Sequence, residues 1–104
     1  MKKFEIITLC GSLRFKDLFL RVQRELTLNR KIVFTPCFFD ENIETLASIN
    51  STKIREMLAD MHKHKIDLSD GILVINHGGY IGKSTQEEIK YAIAIGKTVQ
   101  YLEN

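Results

Sequence analysis

The run Ile72-Leu73-Val74-Ile75 constrains this chain more than any other feature. It holds no polar residue, so as a strand it has to be covered on both faces, at the centre of a sheet flanked by helices. The rest of the pattern agrees. Residues 4–10, Phe-Glu-Ile-Ile-Thr-Leu-Cys, are β-branched and apolar and stop at Gly11, which predicts a buried strand. Phe15, Leu18, Phe19, Val22 and Leu26 then recur at helical steps, with Arg14, Lys16, Arg21 and Arg24 on other faces and Asn29 as a stop. Residues 31–35 read as a short second strand closed by Pro36. Residues 37 to 50, acidic around Asp40, Glu41 and Glu44, read as a loop with one helical turn. Ser51 or Thr52 caps a helix that carries Ile54, Met57, Leu58 and Met61 on one face and runs to Asp67. Ser69-Asp70-Gly71 turns into the apolar run. A glycine-rich loop, His77 to Gly82, follows it. A last helix from Ser84 or Thr85 carries Ile89, Ala92, Ile93 and Ala94 and ends at Gly96, before a strand from Thr98 to Leu102.

Strands and helices alternate throughout. The prediction is one α/β domain over residues 1–104, a flavodoxin- or Rossmann-like parallel sheet of four to five strands with helices on both faces. With a flavodoxin-like strand order, ligands bind at the carboxyl edge between the first and third strands. The loops there are Gly11-Ser12-Leu13-Arg14 and His77 through Thr85, the two most distinctive in the chain.

Composition narrows the partners. Fifteen Lys+Arg against 13 Asp+Glu leave a formal charge of +2, too balanced for a nucleic-acid polymer held by phosphate contacts. No apolar run approaches the roughly 20 residues of a membrane span. Two cysteines, Cys10 and Cys37, make no disulfide framework; both are expected to pack near strand ends. The N-terminus shows no export signal, so the expected compartment is the cytoplasm with reduced thiols. A small anionic ligand stays in play.

Gly11 lets backbone approach a ligand, Ser12 offers a hydroxyl, and Arg14 a planar fork suited to phosphate; equally, Ser12 caps the helix and Arg14 is solvated. The second loop, with Gly79, Gly82, Lys83, Ser84 and Thr85, nearly matches a phosphate-binding P-loop, but His77 stands where its first glycine belongs. An anion pocket at a helix start is the weaker inference; a surface loop is the alternative. Ser84 with Glu87, and Thr85 with Glu88, each have capping-box spacing, which leaves one carboxylate for that work. The other, Glu88, is free to point from the sheet edge at the loops' ligand and act as a nucleophile. Asp67 serves the helix end or the pocket rim, and Asp70 a turn. His62 lies near an apolar stripe, where packing is commoner than catalysis, and Lys63, His64 and Lys65 read as a solvated face. His62, His64 and His77 lack partners at zinc-site intervals, so no metal and no other cofactor is expected.

Taken together, Cys10-Gly11-Ser12-Leu13-Arg14, Ile66 with Asp70, and Glu88 through Lys97 resemble the nucleoside 2-deoxyribosyltransferase family. The likeness is nearer to its branch of 2'-deoxynucleoside 5'-phosphate N-hydrolases. The loop Gly78 to Thr85 with Glu88 is also similar to the Gly-Gly-x-Gly-Thr loop and glutamate of the cytokinin-activating phosphoribohydrolases. Nearest of all are short bacterial members sharing Gly-Tyr-Ile-Gly-x-Ser-Thr and Lys-Ile-Asp-Leu. The resemblance implies an N-glycosidase or glycosyltransferase acting on a nucleoside or nucleotide. Glu88 would be its nucleophile, Gly11, Ser12 and Arg14 would contact the sugar or 5'-phosphate, and Ser84 and Thr85 would lie in the phosphate region. It also implies a homodimer or larger assembly. Counting back from Asp70, the family's base-protonating aspartate falls on His62, and the transferases' C-terminal tail has no counterpart after Asn104. A non-catalytic nucleotide-binding module is the alternative.

Overall fold

The computed structural model describes residues 3–39 and 51–104. Among these the order is β1 (Ile6–Gly11), a 3-10 turn (Leu13–Phe15), α1 (Lys16–Leu28), β2 (Ile32–Phe34), α2 (Thr52–Leu68), β3 (Gly71–Ile75), a second 3-10 turn (His77–Gly79), α3 (Lys83–Ala94) and β4 (Thr98–Tyr101). The four strands form one parallel sheet in the order β2-β1-β3-β4. The acidic stretch around Asp40, Glu41 and Glu44 lies outside the described residues.

Alternation along β1 divides the core. Ile7 and Leu9 pack with Phe19, Val22 and Ile75 on the α1 side. Cys10 packs with Ile66, Ile72, Val74 and Ala92 on the side covered by α2 and α3. The central strand is covered on both faces, as its sequence requires: Ile72, Val74 and Ile75 are all buried. The register places Gly11 opposite Ile75, so the chain leaves β1 and β3 at the same level and the two following loops start side by side. Gly11 has a steric reason to be glycine. A Cβ there would sit 2.9 Å from the Ile75 carbonyl oxygen and 3.2 Å from the Phe19 ring.

Several local expectations change. α3 starts at Lys83 with Gly82 as its extended N-cap and no side-chain cap, so neither capping box forms. Ser84 and Thr85 are inside the helix, and Glu87 and Glu88 fall beyond its first turn. Gly82 can serve because its carbonyl already accepts the Gln86 N–H at 3.0 Å, while the Gln86 side chain returns to the Ile81 carbonyl. Asp70 is more than a turn residue: its carboxylate accepts the Ile6 N–H at 2.8 Å and ties the start of β1 to the start of β3. Of the two cysteines, Cys10 is buried but Cys37 is exposed. Among the described residues no helix is long and apolar enough to cross a membrane.

Candidate functional site

The sheet's carboxyl edge carries a cavity of about 630 Å³. β1 contributes Gly11 and Ser12, the β3–α3 loop contributes Tyr80 and Gly82, and α3 contributes Lys83, Ser84, Thr85 and Glu88. Helix α2 lines the third side with Arg55, Leu58, Ala59, His62 and Lys65, whose spacing of three and four keeps them on one face. Pro36 and Cys37, just past β2, close the rim.

The two loops hold each other. The Ser12 hydroxyl accepts the Arg14 N–H, so Ser12 caps its turn while lining the cavity. The Arg14 guanidinium lies over the Tyr80 ring, 4.1 Å from its centre, and Phe15 meets both Tyr80 and His77 edge-on. Gly78 and Gly79 have φ of +64° and +79°, a region that penalises any side chain. Their loop is fixed from the far end of the chain: Glu103 accepts the Gly78 N–H and meets the His77 ring at 2.8 Å. Asn76 exchanges two hydrogen bonds with the Glu103 backbone.

Beneath the cavity lies a buried polar cluster. Sγ of Cys10 is 3.5 Å from Nε2 of His62, and Oε2 of Glu88 is 3.7 Å from the same nitrogen. Cys10 is wholly buried and His62 only 6% exposed. Burial raises the Glu88 carboxyl to about 7. Burial and then the Lys65 charge lower His62 to about 4, with the Leu9 carbonyl acting in the opposite direction. Burial, with the Glu88 charge second, pushes the Cys10 thiol far up. Between about pH 4 and 7 Glu88 and His62 are therefore both neutral, and their contact is not an ion pair. Nδ1 of His62 meets no partner in hydrogen-bond geometry. Nucleophilic triads use the two imidazole nitrogens separately, one for the nucleophile and one for the acid. Here thiol and carboxylate approach one nitrogen, so no relay runs through the ring, and the buried protonated thiol is inert as a nucleophile.

The structure brings Gly11, Ser12, His62, Gly82, Ser84, Thr85 and Glu88 to one cavity. Three expected residues stand apart. Arg14 stacks on Tyr80 and lines a neighbouring, more open hollow of about 750 Å³ beside α1 instead. That hollow contains no buried titratable group, so it carries less chemistry. Gly79 shapes the loop without lining the cavity. Asp67 is exposed on α2, outside the lining, and accepts the Tyr91 hydroxyl hydrogen bond.

Other features were not visible in the sequence. Lys65 is half-buried rather than solvated: its ammonium donates to the Thr35 carbonyl at 2.7 Å, and its own carbonyl accepts from Thr8. Arg55 joins the lining for the same helical-face reason as His62. Cys10, His62 and Glu88 form a group of potential metal ligands, although their sequence spacing resembles no zinc motif. The chain matches no protein-family model and no curated protein.

Proposed function

We propose that this protein cleaves the N-glycosidic bond of a nucleoside or nucleoside 5'-monophosphate through Glu88. The observation that carries the reading is a half-buried carboxylate, raised to about 7, facing a cavity between two backbone-rich loops at the carboxyl edge of a parallel sheet. In its ionised form Glu88 attacks the anomeric carbon. The C–N bond breaks, its electron pair stays on the base nitrogen, and that nitrogen takes up a proton from water in the open cavity. Water then cleaves the glycosyl ester, returning the carboxylate and freeing the sugar with retention. His62, its Nε2 3.7 Å from Oε2, packs against Glu88 and holds the carboxylate in place, as a positioning residue.

Lys83 lines the cavity beside Ser84 and Thr85 at the start of α3, where helix N–H groups gather. That arrangement favours the phosphorylated substrate over the bare nucleoside. The second reading is a nucleotide-binding module without turnover; among the described lining residues Glu88 has no second carboxylate to act as the acid of a two-carboxylate glycosidase. Incubation with a panel of nucleoside monophosphates separates the two. Free base that disappears in Glu88→Ala but persists in Glu87→Ala supports the enzyme. Ligand-dependent thermal stabilisation without base release supports the binding module. The same reading implies a homodimer or larger assembly, which light scattering tests.

A further inference from the structure

The geometry that defeats a relay suits another occupant. The thiol and the carboxylate converge on one imidazole nitrogen, and the three donor atoms lie within 4.8 Å of one another. In tetrahedral Zn²⁺ sites, bonds of about 2.3 Å to sulfur and about 2.0–2.1 Å to nitrogen or oxygen put neighbouring donors roughly 3.3–3.6 Å apart. The Cys10–His62 separation of 3.5 Å and the His62–Glu88 separation of 3.7 Å already approximate two edges of that tetrahedron. The third edge, between Cys10 and Glu88, is no longer than 4.8 Å.

The donor set selects the metal. A thiolate, an imidazole and a carboxylate suit a borderline cation of the zinc class; calcium and magnesium take all-oxygen sites. Charge points the same way. Thiolate plus carboxylate neutralise a dication, which lets it rest in a buried place beside Lys65 without an uncompensated charge. The thiol proton leaves to solvent on binding. Cys10 forms the closed back of the group, while His62 and Glu88 line the cavity, so the fourth coordination position faces the space a substrate would enter. Three protein ligands with one open position is the pattern of a reactive or exchangeable site rather than a closed structural one.

We propose that Cys10, His62 and Glu88 form a binding site for a zinc-class divalent cation, and that a cation seated there takes the Glu88 carboxylate out of glycosyl chemistry. The second half rests on Glu88 as nucleophile; the binding site does not. The probe is Co²⁺, added to chelator-treated Cys37→Ser protein. That background matters because the exposed Cys37 also lines the cavity, and without it Cys10 is the sole thiol. The expected result is stoichiometric binding with a thiolate-to-cobalt charge-transfer band and tetrahedral d–d bands, all displaced by Zn²⁺. His62→Gln and Glu88→Gln, each checked by a melt without metal, weaken binding at least tenfold. The parent spectrum alone decides even if those variants misfold, since any thiolate band has to come from Cys10. Folded parent protein that shows no thiolate band overturns the site. In the activity arm, Zn²⁺ suppresses base release and chelator restores it. Binding with the thiolate band, but no base release in metal-free protein, overturns the glycosidase reading and leaves the site standing.

Discussion

The two faces of this sheet obey different rules. On the α1 side the buried cluster among the described residues is Ile7, Leu9, Phe19, Val22 and Ile75, all apolar. On the α2–α3 side the apolar group around Ile72 and Val74 shares its interior with Thr8, His62 and Thr85. Thr8 is satisfied by the Lys65 carbonyl, while the buried His62 ring has the Leu9 carbonyl beside it, short of full hydrogen-bond geometry at Nδ1. Among the described residues one face is thus packed with apolar side chains, and the other holds buried polar groups, each costing about 1–3 kcal/mol if its partner is lost.

The contrast is breakable. The largest expected effect follows from the proposed glycosidase reading: under it, Glu88→Gln cuts release of free base from nucleoside monophosphates by about a thousandfold or more, the scale of losing a nucleophile. On the opposite face, Phe19→Ala should leave per-molecule activity in folded protein intact yet lower stability by about 3–5 kcal/mol in urea titration, through a cavity at a fully buried ring. His62→Leu tests the polar face. It removes the imidazole from beside Leu9, Cys10 and Glu88 and should cost about 1–3 kcal/mol in the same titration. A neutral or stabilising result would mean that this face, like the other, needs only apolar packing.

Titration sharpens it further. Glu88, raised to about 7, holds its proton better in the folded state; the stability this gives is present below the ordinary carboxyl value and is lost as pH rises through about 7. His62, lowered to about 4, resists its proton; its contribution is present above about 6.5 and is lost as pH falls through about 4. Between those limits the folded chain keeps one proton that the unfolded chain gives up and refuses one that the unfolded chain takes. The two slopes cancel. Denaturation of metal-free wild type should therefore show little contribution from this pair from about pH 4.5 to 6.5, whereas Glu88→Gln should gain up to about 1.4 kcal/mol per pH unit as pH rises. The smallest effect lies at the opposite edge of the sheet. Asp70 is depressed mainly by the Ile6 N–H, so its contribution is present above the ordinary carboxyl range and lost as acid protonates it. Asp70→Asn should lower Tm modestly at pH 7 and not at all in strong acid.

The order of the strands was legible because alternation and an all-apolar central run leave few alternatives. The place of Glu88 beside a cavity was legible as well, since topology says which edge of the sheet carries the loops. The cluster beneath it was not. Cys10 reads as one more small buried residue in a strand, and its neighbours come from helices far along the chain. Charge alone assigns Lys65 to solvent, but a long stem lets the ammonium reach a backbone carbonyl across part-buried ground. Ser84 and Thr85 carry the usual chemical signal for a helix cap, while Gly82 caps α3 by backbone conformation alone.

Two glycines with positive φ would ordinarily make a loop that wanders. Here the constraint is imported from Glu103, just past the edge strand, which grips the ring of one residue and the amide of the next. A residue past the sheet's outer margin thus sets the conformation of a loop beside the cavity, and displacing it would free that loop's backbone.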